Sequence, residues 1–441
     1  MSKISDRRVN ISLDNPSIVF DKSKCDECGL CKSVCNFHVG VFGYSDEDYP
    51  CINCGSCTII CPKKCLSERD ETDKLREFLH SDKTVVFQIA PAVRVSLGEE
   101  FGFSIGSNVE GKLISALRKI GGNYVSDTSF GADLTVMEES FELIERIKNN
   151  EKIPLFTSCC PSWVKFVEMF YPEFIPNLSS CKSPISMEGS IIKNYFSKVN
   201  NIKKEDIVSI AIVPCTAKKM EILKFNDIDL AITTRELAKY LKEEDIDLKT
   251  LKNGSFNSLM SKGSGGGLIF GTSGGVTESV IREVYHILYK RRPKGRLLNF
   301  KEVRGLANIK EAEITINGIH LKIAVINGTG DARKVLEKIK AKEIYYDFIE
   351  VMTCEGGCIA GGGAPRVNNI TNNLKIKRMK SLYKSDRKMK IRNASDNPDI
   401  KRVYDEFLGA VGGNIAIQYL HTTYISKLKN NQKENSNKIC V

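Results

Sequence analysis

Nine of the sixteen cysteines in this 441-residue chain fall between residues 25 and 65, and eight of them repeat one spacing: Cys25-x2-Cys28-x2-Cys31-x3-Cys35, then Cys51-x2-Cys54-x2-Cys57-x3-Cys61. The spacing leaves that segment little choice of fold. A run of this kind sets three thiolates around one cube of iron and sulfur and sends the fourth to its neighbour. Two 4Fe-4S clusters follow, one on Cys25, Cys28, Cys31 and Cys61, the other on Cys51, Cys54, Cys57 and Cys35. Zinc is the competing reading of paired C-x2-C, but zinc sites draw four ligands from two separated pairs, and triple runs in tandem suit cubanes better. A disulfide framework is disfavoured because nothing at the N-terminus resembles a secretory leader.

The chain is longer than one core usually organises, so two or three domains are expected, the first ending near residue 80. Hydrophobic residues make up 41% of it, yet no uninterrupted apolar stretch is long enough to cross a bilayer, so no membrane association is expected. Arg7 and Arg8 are not a twin-arginine export signal, because Ser12, Asp14, Asn15 and Pro16 stand where an apolar region would have to follow. A cytoplasmic protein is expected. The formal net charge of +11 permits steering of an acidic partner such as a small electron carrier. Nucleic acid is not expected, since the lysines are scattered and no nucleic-acid-binding motif accompanies them.

Beyond a charged, helix-like link from Glu68 to Lys83, apolar runs alternate with amphipathic helices. Val85–Ile89, Ile153–Phe156, Ile207–Val213, Leu230–Thr233, Ile323–Ile326 and Phe348–Met352 read as buried strands. Leu113, Leu117 and Ile120 share a helix face, as do Phe141, Ile144 and Lys148, and Thr233-x-x-Glu236 is a capping box ahead of Leu237, Tyr240 and Leu241. Such alternation implies an α/β domain with largely parallel sheets. The Gly-rich loops Gly263–Gly267 and Ser273–Gly275 match no phosphate-binding or dinucleotide fingerprint and predict tight backbone approach to something buried. The Asn/Lys-rich tail from Lys427 is expected to be disordered. There is no internal repeat apart from the cluster pair.

Five further cysteines lie in three short motifs: Thr157-Ser158-Cys159-Cys160-Pro161-Ser162-Trp163, Val213-Pro214-Cys215-Thr216-Ala217-Lys218-Lys219, and Glu350-Val351-Met352-Thr353-Cys354-Glu355-Gly356-Gly357-Cys358-Ile359-Ala360-Gly361-Gly362-Gly363. Each sits at or just past the end of a predicted strand. Ligands bind at the carboxyl ends of strands in open α/β sheets, so three separated segments could converge on one centre. The residues alone stop at a third metal site with four or five thiolates. The alternative, buried structural cysteines, suits a single cysteine better than five at strand ends beside Gly and Pro.

These three motifs, in this order, resemble those of the iron-iron (FeFe) hydrogenases, over nearly all of the chain. The resemblance implies an α/β catalytic domain of two lobes with largely parallel twisted sheets, preceded by a small α+β ferredoxin-like domain. The implied boundaries are 1–80 for the ferredoxin-like domain, 81–378 for the catalytic domain, 379–426 for a segment like the family's small subunit, and 427–441 for the tail. That segment carries Ile391-Arg392, Asn397-Pro398, Tyr404 to Leu408 and Leu420-His421-Thr422-Thr423-Tyr424. The implied cofactor is the H-cluster, a 4Fe-4S cube held by Cys160, Cys215, Cys354 and Cys358, with Cys358 also bridging to a two-iron unit bearing carbon monoxide, cyanide and an azadithiolate. Lys218 matches the family lysine against one cyanide, Ala90 and Pro91 the segment against the other, and Phe270 and Met352 the side chains packing the two-iron unit. Splitting dihydrogen releases a proton inside a dry pocket, which needs a chain of titratable groups to leave. Glu139, Glu142 and Arg146 share a helix face and would otherwise read as a solvated stripe of ion pairs. By resemblance, Cys159, Glu139, Ser179, Glu142 and Arg146 form the proton relay, with Cys159 not a ligand.

Val213 stands where the best-known members carry Met, Ser162 replaces a common Gly, Thr277 a common Met, and Asn36 follows Cys35 where Pro is usual. None removes a ligand or relay group. Cys65 and Cys181 read as ordinary thiols and Cys440 as a tail residue. The expected partners are ferredoxin or a similar acidic carrier and the maturation enzymes for the two-iron unit; the expected state is a monomer. A sensory or oxidation-biased hydrogenase and a subunit of a bifurcating complex remain alternatives. The eukaryotic iron-sulfur assembly factors of like fold are opposed by the intact Cys159, Lys218 and Glu139/Glu142/Arg146 set.

Overall fold

The computed structural model describes residues 8–41, 51–257, 260, 262–366 and 371–427. Arg7, Cys440 and the tail beyond residue 427 lie outside them. The described strands are β1 (Ile18–Phe20), β2 (Leu66–Glu68), β3 (Thr84–Ile89), β4 (Tyr124–Asp127), β5 (Leu155–Phe156), β6 (Ile207–Val213), β7 (Leu230–Thr233), β8 (Ile309–Ile316), β9 (Ile319–Asn327) and β10 (Phe348–Met352).

Two four-stranded sheets organise the larger part of the chain into two lobes. One has the order β4-β3-β6-β7 and is parallel throughout, with Phe87 opposite Ile210 and Ile212 opposite Ile232. The other has the order β5-β10-β9-β8, parallel except for the β8–β9 hairpin. Strands β3 and β6 are apolar almost without interruption because helices cover both their faces. Val85, Phe87 and Ile210 meet Leu113, Leu117, Leu237 and Leu241 on one side. Val86 meets Phe130, Leu134 and Ile191 on the other. The capping box forms as expected, with Thr233 and Glu236 satisfying each other's backbone N–H.

Several expectations are corrected. Glu68 belongs to β2, and only Thr72–Leu79 of the link is helical. The strand expected from Ile153 starts at Leu155, because Pro154 has no N–H to give and the first ladder bond is Leu155 N to Asp347 O, 2.9 Å. β4 and β8 were not legible as buried strands. β8 lies at a sheet edge and alternates between exposed Ile309, Glu311 and Glu313 and buried Lys310 and Ala312. Its hairpin turn, Asn317-Gly318, has both residues at positive φ and is the signal that marks such a pair. The Gly-rich loops do approach buried backbone. A Cβ on Gly267 would stand 2.2 Å from the Ser129 carbonyl oxygen, and one on Gly274, at φ +86°, 1.9 Å from that of Val303.

The cysteine-rich segment closes with the antiparallel pair β1–β2 and seats against both lobes. Its Val39, Val41 and Ile52 share one apolar cluster with Phe156, Trp163 and Ile349. Side chains of the larger part grip its carbonyls: Thr216 Oγ1 to Asn53 O at 2.7 Å and Thr329 Oγ1 to Val39 O at 2.6 Å. Arg235 pairs with Glu68 and donates to the Gly362 and Ala364 carbonyls at 2.7 and 2.6 Å. The C-terminal helices Asn372–Lys388, Pro398–Val403 and Asn414–Leu420 complete the packing, Leu382 and Met379 against Ala92 and Ile269, and Val403 and Leu420 against Phe130 and Ile191. No described helix is long and apolar enough to cross a membrane.

Candidate active site

Three turns leave the carboxyl ends of β5, β6 and β10 and meet around one cavity of about 90 Å3. Cys159 and Cys160 follow β5, Cys215 follows β6, Cys354 and Cys358 follow β10, and all five line that cavity with Lys218, Ala90, Pro91, Val213, Phe270 and Met352. Cys160 is the extended residue before the helix Pro161–Phe170, whose proline occupies a position that needs no N–H. The loop after β10 turns on Gly357, at φ +89°, where a Cβ would stand 2.5 Å from Ser273 N.

The cavity wall is nearly all apolar. Burial pushes the Cys215 and Cys354 thiols above their ordinary value, the nearby thiols adding to it, and holds Cys358 at about 12. Such sulfurs become thiolates together only when a cation binds them. Among the described residues no three His, Cys, Asp or Glu side chains close on a single ion. The thiols are arranged around a space rather than a point, a donor set that fits a multi-iron group held by soft ligands.

Among the described residues Lys218 is the one ammonium on this wall. Its Nζ donates to Glu221 at 2.5 Å and to the Cys159 carbonyl at 3.3 Å. Burial is the largest single influence and pushes it down, but the charge and hydrogen bond of Glu221, with the nearby sulfurs, together hold it above the ordinary lysine value. The result is a fixed, partly satisfied cation facing the cavity.

The remaining relay candidates run outward along the helix Ser129–Asn149. Glu139 is 1% exposed, and neither of its carboxyl oxygens has a hydrogen-bond partner. Burial first, and Glu142 second, hold it well above the ordinary carboxylate range; Ser179 lies near enough to oppose this, but its hydroxyl donates to Glu142 at 2.7 Å. Burial and then the Glu139 charge raise Cys159 strongly. Glu142 also accepts from Arg146 at 2.6 Å, and Arg146 donates to the carbonyls of Lys152, Pro176, Asn177 and Leu178. The stripe is therefore not solvated at its inner end. It starts buried beside the cavity and finishes at an arginine that ties two chain segments, at Lys152 and at Pro176–Leu178, together.

Cys25, Cys28, Cys31 and Cys61 line one small space. Cys35, Cys51, Cys54 and Cys57 lie close enough for their charges to act on one another, and Cys54 is likewise near Cys160 and Cys354. Cys31 also lies near enough to act on Cys35 and Cys57, so the thiols of the two runs share one neighbourhood. The two crossing cysteines differ locally. Cys35 keeps helical dihedrals and the helix runs on through Asn36, whereas Cys61, followed by Pro62, is extended as a residue before proline must be. Cys65 is a correction. It lies beside Cys61, sulfur to sulfur 3.1 Å, on the same space as the other four thiols. Cys181 is buried and lines neither space.

Residues to which the sequence assigned no role at the site also gather here. His38 Nε2 faces the Thr353 carbonyl at 2.9 Å and must carry the proton on that nitrogen, linking the turn after Cys35 to the residue before Cys354. His421 reaches Ser180 Oγ at 2.8 Å through Nδ1 and Glu138 at 3.0 Å through Nε2; Glu138 also accepts from Tyr404 at 2.5 Å. Only long-range pairing made these groups neighbours, and no local pattern announces it. Of the departures, Val213 lines the cavity, Thr277 gives its N–H and hydroxyl to Glu350 at 2.8 and 2.9 Å, and the Ser162 hydroxyl is buried without a partner.

A family model described as iron only hydrogenase large subunit, C-terminal domain, matches residues 83–362, and one described as iron hydrogenase small subunit matches residues 372–427. The NADP-reducing hydrogenase subunit HndD of Solidesulfovibrio fructosivorans is 38% identical across 93% of this chain and 75% of its own length. Iron hydrogenase 1 of Clostridium pasteurianum is 36% identical across 92% of this chain and 76% of its own. A solved structure of a variant of the FeFe-hydrogenase HydA1 from Chlamydomonas reinhardtii aligns with a TM-score of 0.72 and 34% identity, over 82% of this chain and all of that one.

Proposed function

Since the chain belongs to the iron-only hydrogenase family, we propose that it interconverts protons and dihydrogen with electrons from ferredoxin or a similar acidic carrier, through two 4Fe-4S clusters and an H-cluster. The observation that carries this reading is the convergence of Cys160, Cys215, Cys354 and Cys358 on one apolar cavity with Lys218 and Cys159 on its wall. Those four cysteines would hold the H-cluster, and the group, once bound, supplies the metal centre and the store of electrons for the reaction. Maturation enzymes that deliver the two-iron unit are implied with it.

The chain's own residues do the rest. Lys218 offers an N–H to an anionic ligand in the cavity while Glu221 keeps it charged. Ala90, Pro91, Phe270 and Met352 shape the wall and keep water out. The Cys159 thiol, the relay group on that wall, holds or accepts a proton at Sγ. Glu139, whose pKa burial raises well above the ordinary carboxylate range, can hold a proton and pass one in either direction; Ser179 and Glu142 carry it on, and Arg146 fixes Glu142 at the outer end.

Electrons would enter at the cluster on Cys25, Cys28, Cys31 and Cys61, where Cys28 is exposed and Lys22, Lys63 and Lys64 stand in solvent close by in sequence. An acidic carrier suits that edge and the net charge of +11. A second reading, a subunit of a larger NADP-reducing complex, is favoured by the 38% identity to a subunit so named.

The test is anaerobic maturation with a supplied two-iron precursor, then hydrogen evolution from a reduced viologen beside Cys159→Ala. Evolution that collapses in the variant supports both the activity and the relay. No gas from the parent protein, with infrared bands for cyanide and carbonyl ligands in place, would overturn it in favour of a sensory or strongly oxidation-biased protein. Co-purification with flavin-binding partners would support the complex.

A further inference from the structure

The space lined by Cys25, Cys28, Cys31 and Cys61 has a fifth thiol on it. A cube of four irons needs four sulfur ligands from the chain, so one of the five is surplus. The surplus thiol is Cys65, four residues after the crossing ligand Cys61 and not three, outside the repeated spacing.

Its place follows from the local chain. Pro62 obliges Cys61 to be extended, and Lys64, at φ +54°, bends the backbone back so that Lys64 N reaches the Cys61 carbonyl at 3.3 Å. Leu66 then enters β2 opposite Phe20, and Asp21 N fixes the Cys65 carbonyl at 2.7 Å. With its backbone held by the ladder, the Cys65 side chain is 4% exposed and projects onto the thiol-lined space. Its sulfur is 3.1 Å from that of Cys61, and the Cys25 thiol lies within hydrogen-bonding reach. A buried cysteine that served only packing would sit among carbon atoms, whereas this one sits among the ligands.

We propose that Cys65 is a reserve ligand for this cluster, able to take the corner that Cys61 occupies. The inference rests on the two-cluster reading of the cysteine-rich segment. The exchange is balanced without any electron transfer. The bond from iron to the Cys61 sulfur breaks and one to the Cys65 sulfur forms, while the proton released by the Cys65 thiol passes to the departing Cys61 thiolate. Both sulfurs already lie within hydrogen-bonding distance, so the exchange needs a change of side-chain angle and leaves the ladder intact. Cys28 is exposed, so this cluster would be open to oxidants, which act on accessible thiolates.

The test uses the full chain, produced anaerobically without the two-iron unit, and compares Cys61→Ala, Cys65→Ala and the double variant with the parent. Iron, acid-labile sulfide and the electron paramagnetic resonance spectrum of the dithionite-reduced protein are measured. Cys61→Ala is expected to keep the parent's iron content with changed g-values, and the double variant to lose up to about four irons per chain. Equal loss from Cys61→Ala and from the double variant would overturn the proposal. Cys61→Ser with and without Cys65→Ser repeats the comparison with an isosteric side chain, should alanine disturb folding. A parent protein lacking the signals of two clusters in this segment would instead sink the two-cluster reading, a result distinct from either.

Discussion

The Lys218 ammonium donates to the Glu221 carboxylate across 2.5 Å, three residues along the same short helix. Burial works against a charged lysine there, and the Glu221 charge is the largest influence that restores it. Glu221→Gln removes that charge while keeping the shape. We expect hydrogen evolution to fall by about tenfold, the size of one hydrogen bond to a charged group, and the infrared cyanide bands to shift. Unshifted bands with full activity would show that Lys218 holds its place and charge without Glu221.

Glu139, in the proposed relay, has no hydrogen-bond donor of its own, which leaves its carboxyl free to carry a proton. Glu139→Gln is expected to slow turnover by about 10²- to 10⁴-fold, the range for loss of a positioned proton-transfer group, with iron content and infrared bands unchanged. The pH dependence has a definite sign. Because burial and Glu142 raise Glu139, it loses its proton only on the alkaline side of the ordinary carboxylate range, and evolution should decline as pH rises through that point. A rate limited elsewhere would show no loss in the variant.

His421 stands between two carboxylates, touching Glu138 directly and Glu142 through the Ser180 hydroxyl, which lies 3.3 Å from Glu142. The ring thus joins the two carboxylates into one hydrogen-bonded chain. His421→Gln cannot keep both ends of that chain and should change the rate of turnover about threefold, roughly the weight of one neutral hydrogen bond. Tyr404 shares Glu138 with this ring and the Cys181 backbone bridges to His421, and an unaltered rate in the variant would assign His421 to packing there.

Glu188 is buried under the first lobe's sheet, where Ser126 donates to it at 2.7 Å and the Gln88 amide, oriented to satisfy both groups, at 3.0 Å. Burial pushes it from 4.5 up to about 8. A raised carboxyl contributes its full share to stability below its unfolded value and loses it as pH climbs through the folded one. Between pH 4.5 and 8 this group alone costs the fold up to about 5 kcal/mol. Glu188→Gln should melt higher than the parent at pH 8 to 9 and by a smaller margin at pH 5. Melting curves separated by the same interval at both would refute it.

Much of the site was legible because metal ligation and strand ends leave local marks. Cys160, Cys215, Cys354 and Cys358 follow the carboxyl ends of strands, where ligands generally bind, and Cys25, Cys28, Cys31 and Cys61 of the twin spacing line one space. β8 was missed because an edge strand buries one face and alternates, so a search for continuous apolar runs passes over it. Cys65 looked ordinary because its significance is a distance to Cys61, set by a left-handed Lys64 and a two-stranded ladder. His38 and His421 were silent for a related reason: their partners lie 315 and 283 residues away.

The cysteine-rich segment is seated on the lobes by a shared apolar cluster, by Thr216 and Thr329 on its carbonyls, and by Arg235 on Glu68. On the proposed reading it would be, in kinetic terms, a donor complex that never dissociates. An electron that had reached the segment would meet no diffusion, no search for orientation and no competing partner on its way inward, because the effective concentration of its acceptor would be fixed by the fold. Ionic strength would then act on turnover at one place only, the encounter between the exposed edge around Cys28 and a carrier that comes from solution.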